Sequence, residues 1–216
     1  MNYSTVFLEY RQEVMADDEE PSRYIQTLEG HVVLDFENHR ERVGRFRVFV
    51  IDVESAVNDE ESVFDIFDSY SETMGYWSLY QDGLEFRPKV VKVLPGGERW
   101  RPNMLILDRM EVVPKYRGKG IGLCALNCLQ RRYSIGCGII AMKPFPLQFE
   151  GGLPEENAAK EDFIAMGLGA FDRDFKRATA KLRRYYGRLG FVRVPGTEYM
   201  VADPFVRMPF IRWDAG

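Results

Sequence analysis

Three glycines, Gly118, Gly120 and Gly122, separate an apolar run at residues 103–113 from a stretch of good helix formers that reaches about Arg132. The first N–H groups of a helix have no partner within the helix and carry the positive end of its dipole. Glycine lets the backbone aim those groups at one ligand and lets a bulky phosphate come close. The stretch therefore predicts an anion site at a strand-to-helix junction, with simple close packing of the glycines as the structural alternative.

The spacing of the glycines excludes two familiar phosphate sites. A dinucleotide fingerprint G-x-G-x-x-G that started at the first glycine would need its third glycine where Leu123 stands. A nucleoside-triphosphate loop needs Gly-Lys-Ser/Thr, whereas Lys119 is followed by Gly120. The pattern that remains is Arg117-x-x-Gly120-x-Gly122.

This pattern resembles the acyl-CoA-binding motif Q/R-x-x-G-x-G/A of the GNAT superfamily of N-acetyltransferases. A second element of the family lies downstream, where residues 182–191, LRRYYGRLGF, are similar to L/F-Y-x-x-x-G-F and put Tyr186 at the tyrosine position. The order of elements also matches: glycine loop, helix, strand, helix with tyrosine, and two final strands. The resemblance covers about residues 103–203.

The resemblance implies a role for each matching position. The backbone from Met110 to Val112 would lie along the pantetheine arm of acetyl-CoA, and the Val112 amide would meet the acetyl carbonyl. Tyr186 would hydrogen-bond the CoA sulfur and protonate the departing thiolate. The amides that would hold the pyrophosphate are those of Arg117, Gly118, Lys119, Gly120, Ile121, Gly122 and Leu123.

The chain departs from the family pattern in two places. Thr179 stands where family members often carry an asparagine that contacts the cofactor, so we assign Thr179 to that contact. About 20 extra residues, roughly 150–170, lie between the fifth predicted strand and the tyrosine helix. They indicate a lid or a partner surface particular to this chain.

Acyl transfer to an amine also needs a base, because a lysine-like amine is almost wholly protonated at pH 7. Family bases often lie on the fourth strand, where Asp108 and Glu111 are the acids of this chain. Alternation puts these two on opposite faces of the strand unless a bulge intervenes. We prefer Asp108; the alternative is a salt bridge with Arg109 or Arg101.

Apolar periodicity predicts the elements that must position these groups. The predicted strands are 31–37, 44–53, 88–94, 103–113, 137–145, 191–194 and 197–202. The predicted helices are 62–80, 121–132 and 171–190, with a short helix at 158–166 inside an otherwise irregular segment. Strands interleaved with helices indicate a mixed α/β (α+β) fold. The resemblance implies a GNAT-type, mostly antiparallel sheet that splays between strands four and five, in a single domain 1–216 with a variable half 1–102 and an acyl-CoA half 103–203.

The predicted helix 62–80 carries more aromatic side chains than packing alone requires. In GNAT proteins the helices before the central strands overhang the acceptor side of the cleft. We therefore expect Trp77 to line an acceptor pocket and Glu72 or Asp68 to attract a cationic amine. The alternative is that the rings are core and the acids are solvated.

Composition limits the partners. The chain has 216 residues, 45% of them hydrophobic, and a net charge of −4, which argues against broad nucleic-acid binding. The N-terminus does not look like a signal peptide, and no apolar run approaches a membrane span, so we expect a cytoplasmic protein. Three cysteines and two histidines give no metal-ligand pattern. The sequence leaves open whether the protein forms a homodimer.

These observations predict an N-acetyltransferase that moves an acetyl group directly from acetyl-CoA to a primary amine of a small molecule or protein. The first alternative is a catalytically inactive acyl-CoA-binding sensor or scaffold. A further alternative is an interaction protein that works through its acidic N-terminal half.

Overall fold

A sheet of seven strands organises the residues that the computed structural model describes, namely 3–12, 20–81, 84–97, 100–150, 164–206, 209, 211 and 213. The strands are β1 (Tyr3–Gln12), β2 (Ile25–Phe36), β3 (Arg40–Ile51), β4 (Met104–Val112), β5 (Ile139–Met142), β6 (Val192–Arg193) and β7 (Met200–Ala202). Their order is β1-β2-β3-β4-β5-β7-β6, and β4–β5 is the parallel pair in an otherwise antiparallel sheet. The predicted mixed α/β fold around one mostly antiparallel sheet is confirmed.

Helices cover both faces of this sheet. They are α1 (Val53–Asn58), α2 (Val63–Asp68), α3 (Ser71–Met74), α4 (Pro88–Val91), α5 (Ile121–Tyr133) and α6 (Phe175–Gly187). Short 3-10 helices lie at Pro21–Tyr24, Gly75–Leu79, Pro114–Tyr116, Leu147–Phe149 and Leu168–Ala170. Side-chain alternation along the strands separates two apolar cores. Ile51 and Ile106 pack with the α1–α4 side, whereas Val48 and Leu105 pack with α5.

Two errors in the strand prediction offset each other. The predicted strand 88–94 is wrong: Pro88 opens the short helix α4, where its fixed φ and missing N–H suit the first turn, and Val90 is buried there. The sequence analysis did not assign β1, an edge strand that pairs with β2 from Tyr3 to Gln12. The run at 103–113 is therefore still the fourth strand, as predicted.

The predicted helix 62–80 is also wrong as a single element, because it is broken into α2, α3 and the 3-10 helix Gly75–Leu79. Tyr70 is extended, with φ −135° and ψ 138°. The buried Thr73 hydroxyl donates to the Phe67 carbonyl at 2.7 Å, the group that the Ser71 N–H would bond in a continuous helix. The helical period continues across this corner, which is why the sequence pattern did not reveal it.

Helix α6 begins later and ends earlier than the predicted helix 171–190. The Asp174 side chain accepts a hydrogen bond from the Arg177 N–H at 2.9 Å, so Asp174 is the N-cap and Phe175 the first helical residue. Of the short helix predicted at 158–166, residues 158–163 lie outside the described residues.

Thr73→Val tests the corner between α2 and α3. The substitution keeps the shape but leaves the Phe67 carbonyl without its hydroxyl donor, so the free energy of unfolding should fall by about 1–3 kcal/mol. Urea denaturation measures this, with Ser71→Ala as the control, because the exposed Ser71 hydroxyl bonds only a neighbouring carboxylate and its loss should cost within about 0.5 kcal/mol. Equal stability of both variants would show that the corner does not depend on Thr73.

Candidate functional site

Two adjacent rungs of ionisable side chains cross four strands of the sheet. In β-register, one rung is Glu9, His31, Arg45 and Glu111, and the next is Arg11, Glu29, Arg47 and Arg109. Both rungs lie on the face that α1–α4 cover further along the strands. Here that face is open, and the rungs form the floor of a cleft of about 1100 Å³.

The cleft walls come from two segments. Ser71, Glu72 and Tyr76 line it from the helical side, and Lys143, Phe145, Phe149 and Glu150 line it from the chain that follows β5. Burial raises the pKa of Tyr76 well above its usual value, so its hydroxyl stays protonated. The sheet face therefore ends in a wide, polar concavity rather than in a packed core.

A bulge in β4 brings both predicted acids to this face. Arg47 lies opposite Arg109 and Val48 lies opposite Leu107, so Asp108 is the extra residue in the β3–β4 register. An extra residue reverses the alternation of the side chains that follow it. Asp108 and Glu111 consequently point to the same side of the sheet. This is the outcome that strand alternation allowed only if a bulge intervened.

Asp108 is held by an arginine that the sequence analysis did not consider. Its Oδ2 accepts a hydrogen bond from Arg47 Nε at 2.7 Å, whereas the salt-bridge alternative names Arg109 or Arg101. Arg47 Nη2 also lies 2.8 Å from Glu72 Oε1. Burial raises the pKa of Asp108 and outweighs the lowering effect of Arg47. A partly buried carboxylate with a raised pKa is what a general base requires.

Glu111 has a different environment. Its side chain is 1% exposed, Arg109 Nη1 donates to its Oε1 at 2.7 Å, and Arg45 Nη2 lies 3.0 Å from its Oε2. Arg109 also forms an ion pair with Glu150, which lies on the cleft wall that follows β5. A carboxylate buried between two guanidinium groups fits an ion pair that orients Arg45 and Arg109, and so Asp108 is the better candidate base.

The predicted glycine loop adopts the backbone that its sequence requires. Gly118 and Gly120 have φ of +79° and +81°, in the left-handed region that favours glycine, and Gly120 is the N-cap of α5 without a side-chain hydrogen bond. A Cβ on Gly122 would lie 2.9 Å from Tyr185 Oη, so this glycine allows a close approach of α6 to α5. The first turn of α5 carries no acidic residue that would repel an anion.

Arg117 fixes the loop instead of projecting from it. Its Nε donates to the Val112 carbonyl at 2.7 Å, its Nη2 donates to the Met166 carbonyl, and its guanidinium lies 4.5 Å from the centre of the Phe171 ring. The described end of the insertion, from residue 164 onward, therefore packs on the loop. Lys119 lies 6.0 Å from the Tyr116 ring centre, while Ile121 and Leu123 are buried and leave only backbone for a ligand.

The two adjacent tyrosines of α6 differ in their surroundings. Tyr185 places its hydroxyl against Gly122 and Leu123, and burial raises its pKa to about 12. Tyr186 packs against the α5 core, burial raises its pKa well above the usual value, and its hydroxyl has no hydrogen-bond partner among the described residues. The Thr179 hydroxyl donates to the Phe175 carbonyl at 2.8 Å, so it is already used within the helix.

The structure separates the two predicted acceptor residues. Glu72 lines the cleft beside Asp108 and Arg47. Trp77 instead packs on the core, with ring centres 6.1 Å from Phe64 and 6.3 Å from Tyr80, and it is not among the described residues that line the cleft. Most of the aromatic surface of this region thus serves packing.

The β3 arginines of the cleft, Arg42, Arg45 and Arg47, are site residues that the sequence analysis missed. A signal was present, since charged and apolar residues alternate in the β3 sequence RERVGRFRVFVI. That pattern predicts a polar face but does not reveal that no helix within the described part of the chain covers it.

Neither a metal group nor a membrane helix is found in the described part of the chain. There, no three His, Cys, Asp or Glu side chains meet as a metal site, and no helix has the length and apolar character needed to cross a bilayer. A scan against protein-family models, a search of curated proteins and a search of solved structures each find no match. Any assignment of function must therefore come from the motifs and the geometry of this chain.

The environment of Asp108 predicts its titration. We expect the Asp108 carboxyl carbon, followed by NMR against pH, to titrate above the ordinary aspartate range, because burial disfavours the charged form. Arg47→Gln should raise the pKa further, because it removes the charge that lowers it. Arg40→Gln, a matched change on the same strand that pairs with Glu9 and Asp35, should leave it unchanged. Titration of wild-type Asp108 at or below the ordinary value would contradict this assignment.

Proposed function

We propose that the protein is a GNAT-type N-acetyltransferase that transfers the acetyl group of acetyl-CoA directly to a primary amine. The observation that carries the proposal is the opening between β4 and β5. Their pairing covers Met104–Ile106 and Ile139–Ala141, whereas β4 continues to Val112 and is followed by the glycine loop. An edge of extended backbone that leads to a helix N-terminus suits a pantetheine arm and its pyrophosphate.

The direction of the β4 amides supports the placement of the thioester. Val113 N–H donates to the Val43 carbonyl at 2.9 Å, on the β3 side. Successive N–H groups of an extended strand point to opposite edges, so those of Val112 and Met110 point towards the opening. A donor there can stabilise the oxyanion that forms when the acetyl carbonyl is attacked.

The loop amides supply the phosphate site in this proposal. Positive φ at Gly118 and Gly120 turns the backbone before α5, and Arg117 holds that shape through its bond to Val112. Arg117 would thus act mainly by fixing the loop, not by gripping a phosphate. The Leu123 amide is the least available of the set, because the Tyr185 hydroxyl lies against it.

The amine would enter from the cleft side. Asp108 would take one proton from the ammonium form, and the neutral nitrogen would attack the acetyl carbon. The tetrahedral adduct would lose its second nitrogen proton to water as the C–S bond breaks with the thiolate as leaving group. Tyr186 would return a proton to the sulfur; its raised pKa keeps that proton on the hydroxyl until transfer. Glu72, beside Asp108, would help to attract the cationic form of the amine.

An acyl-CoA-binding sensor or scaffold without turnover is the second candidate. It is favoured by the ion pair that engages Asp108 and by the Thr179 hydroxyl, which is bonded within α6. Free-thiol release from acetyl-CoA over a panel of amines separates the two candidates, since a sensor binds acetyl-CoA without releasing thiol.

A charge placed in the loop should weaken acetyl-CoA binding. Gly118→Asp puts a carboxylate beside the proposed pyrophosphate, so the Kd from isothermal titration should rise well over tenfold, which corresponds to 1.4 kcal/mol or more. Gly196→Asp is the matched control, because both glycines have positive φ and a Cβ added to either meets nothing within 4 Å. Equal affinities in the two folded variants would rule out the loop as the binding site.

Substitution of the two tyrosines should distinguish an effect on catalysis from an effect on acetyl-CoA binding. If Tyr186 protonates the thiolate, Tyr186→Phe should lower kcat by roughly 10²-fold, as general acid catalysis typically contributes, with the acetyl-CoA Kd unchanged. Tyr185→Phe should leave kcat near the wild-type value. Steady-state kinetics and titration calorimetry measure both, and a Tyr186→Phe enzyme with wild-type kcat would assign Tyr186 to packing.

A further inference from the structure

The cleft concentrates arginine in a chain whose net charge is negative. Among the described residues, five arginines and one lysine line it, against five carboxylates and the buried Glu111 of the same floor, whereas the whole chain has a net charge of −4. A simple cationic amine would be attracted by the carboxylates and repelled by the arginines. The guanidinium group binds carboxylate and phosphate through two parallel hydrogen bonds, which makes arginine the usual residue for recognising such anions.

The arginines of the floor are engaged to different degrees. Arg47 lies within ion-pair distance of Asp108, Glu72 and Glu29, and Arg109 pairs with Glu111 and Glu150. These two are held deep in the cleft, with side chains 23% and 24% exposed.

Arg42 and Arg45 lie nearer to the solvent. The Arg42 side chain is 66% exposed, and its ion pair with Glu9 is long, at 3.9 Å. Arg45 is 40% exposed and is oriented by the buried Glu111. Both line the cleft, so their outer guanidinium edges face the space that an acceptor would occupy.

We propose that the acceptor carries an anionic group, a carboxylate or a phosphate, in addition to its amine, and that Arg42 and Arg45 bind this group. The inference rests on the proposed acetyltransferase function, because it places the amine at Asp108. Arg45 and Arg47 are two residues apart on β3, so the anion site lies about 7 Å along the strand from the Arg47–Asp108 pair, and Arg42 extends it further. The acceptor would therefore be a short molecule or side chain with opposite charges at its two ends.

Three matched probes test the proposal: hexylamine, ε-aminocaproate and aminohexyl phosphate, which share a six-carbon chain and differ in the anion. We expect the two anionic probes to have at least tenfold lower KM than hexylamine in acetyl transfer. Arg42→Gln should remove that advantage and leave the hexylamine KM unchanged. Arg40→Gln is the control, because it removes the same charge from the same strand and Arg40 also pairs with Glu9. Whichever anionic probe binds more tightly identifies the group as carboxylate or phosphate.

Titration of the probes in the absence of acetyl-CoA tests the anion site independently of the proposed acetyltransferase function. Calorimetric titration of each probe at constant ionic strength should show saturable binding of the anionic probes that Arg42→Gln weakens, and that Arg45→Lys weakens by removing the bidentate fork. If this occurs but acetyl-CoA does not bind, the anion site stands and the acetyltransferase proposal fails. If hexylamine binds as well as the anionic probes, or Arg42→Gln behaves like Arg40→Gln, the anion site is overturned whatever acetyl-CoA does.

Discussion

The bulge at Asp108 decides which side chains of the central strand meet solvent and which meet the core. Without the extra residue, Arg109 and Glu111 would point into the apolar cluster under α5, and Met110 would point into the cleft. Charges in that cluster would be costly unless paired. With the extra residue, Met110 and Val112 pack towards α5, and the charged residues join Arg45 and Arg47 on the opposite face. One inserted residue therefore sets both the core and the cleft.

Ion pairs then connect this floor to its walls. Arg47 links β3 to Asp108 on the bulge and to Glu72 on α3, while Arg109 links Glu111 to Glu150 on the segment after β5. Because Glu111 is buried, loss of either guanidinium partner would leave a poorly compensated charge. A few charged contacts thus join the floor of the cleft to both of its walls. Contacts of this kind are sensitive to the charge of whatever enters between them.

Local signals in the sequence were sufficient for the elements that pack along their whole length. The apolar run of β4 and the glycines before α5 predicted a strand, a glycine loop and a helix start, all of which the structure contains. Apolar periodicity failed where a single residue or a distant contact decides the outcome. The Thr73 hydroxyl bonds the Phe67 carbonyl at a corner across which the helical period continues, and Pro88 opens a short helix in a strand-like run. The bulge depends on pairing with β3, some 60 residues away, as the Arg47–Asp108 separation of 61 residues shows.

The predicted site residues fall on opposite faces of β4, and this division has a chemical consequence. Met110, Val112 and the glycine loop lie on the α5 side, whereas Asp108 and Glu72 lie on the cleft side. Two substrates bound on opposite faces of a continuous sheet could not react, because the paired strands would separate them. From Leu107 onward β4 has no β5 partner among the described residues, so backbone amides, and not a neighbouring strand, border the space between the two faces. In the proposed reaction the acetyl group would lie in this opening, contacted by the thiol from one side and the amine from the other. Direct transfer would then need no intermediate on the enzyme, because the gap in the sheet would bring donor and acceptor together.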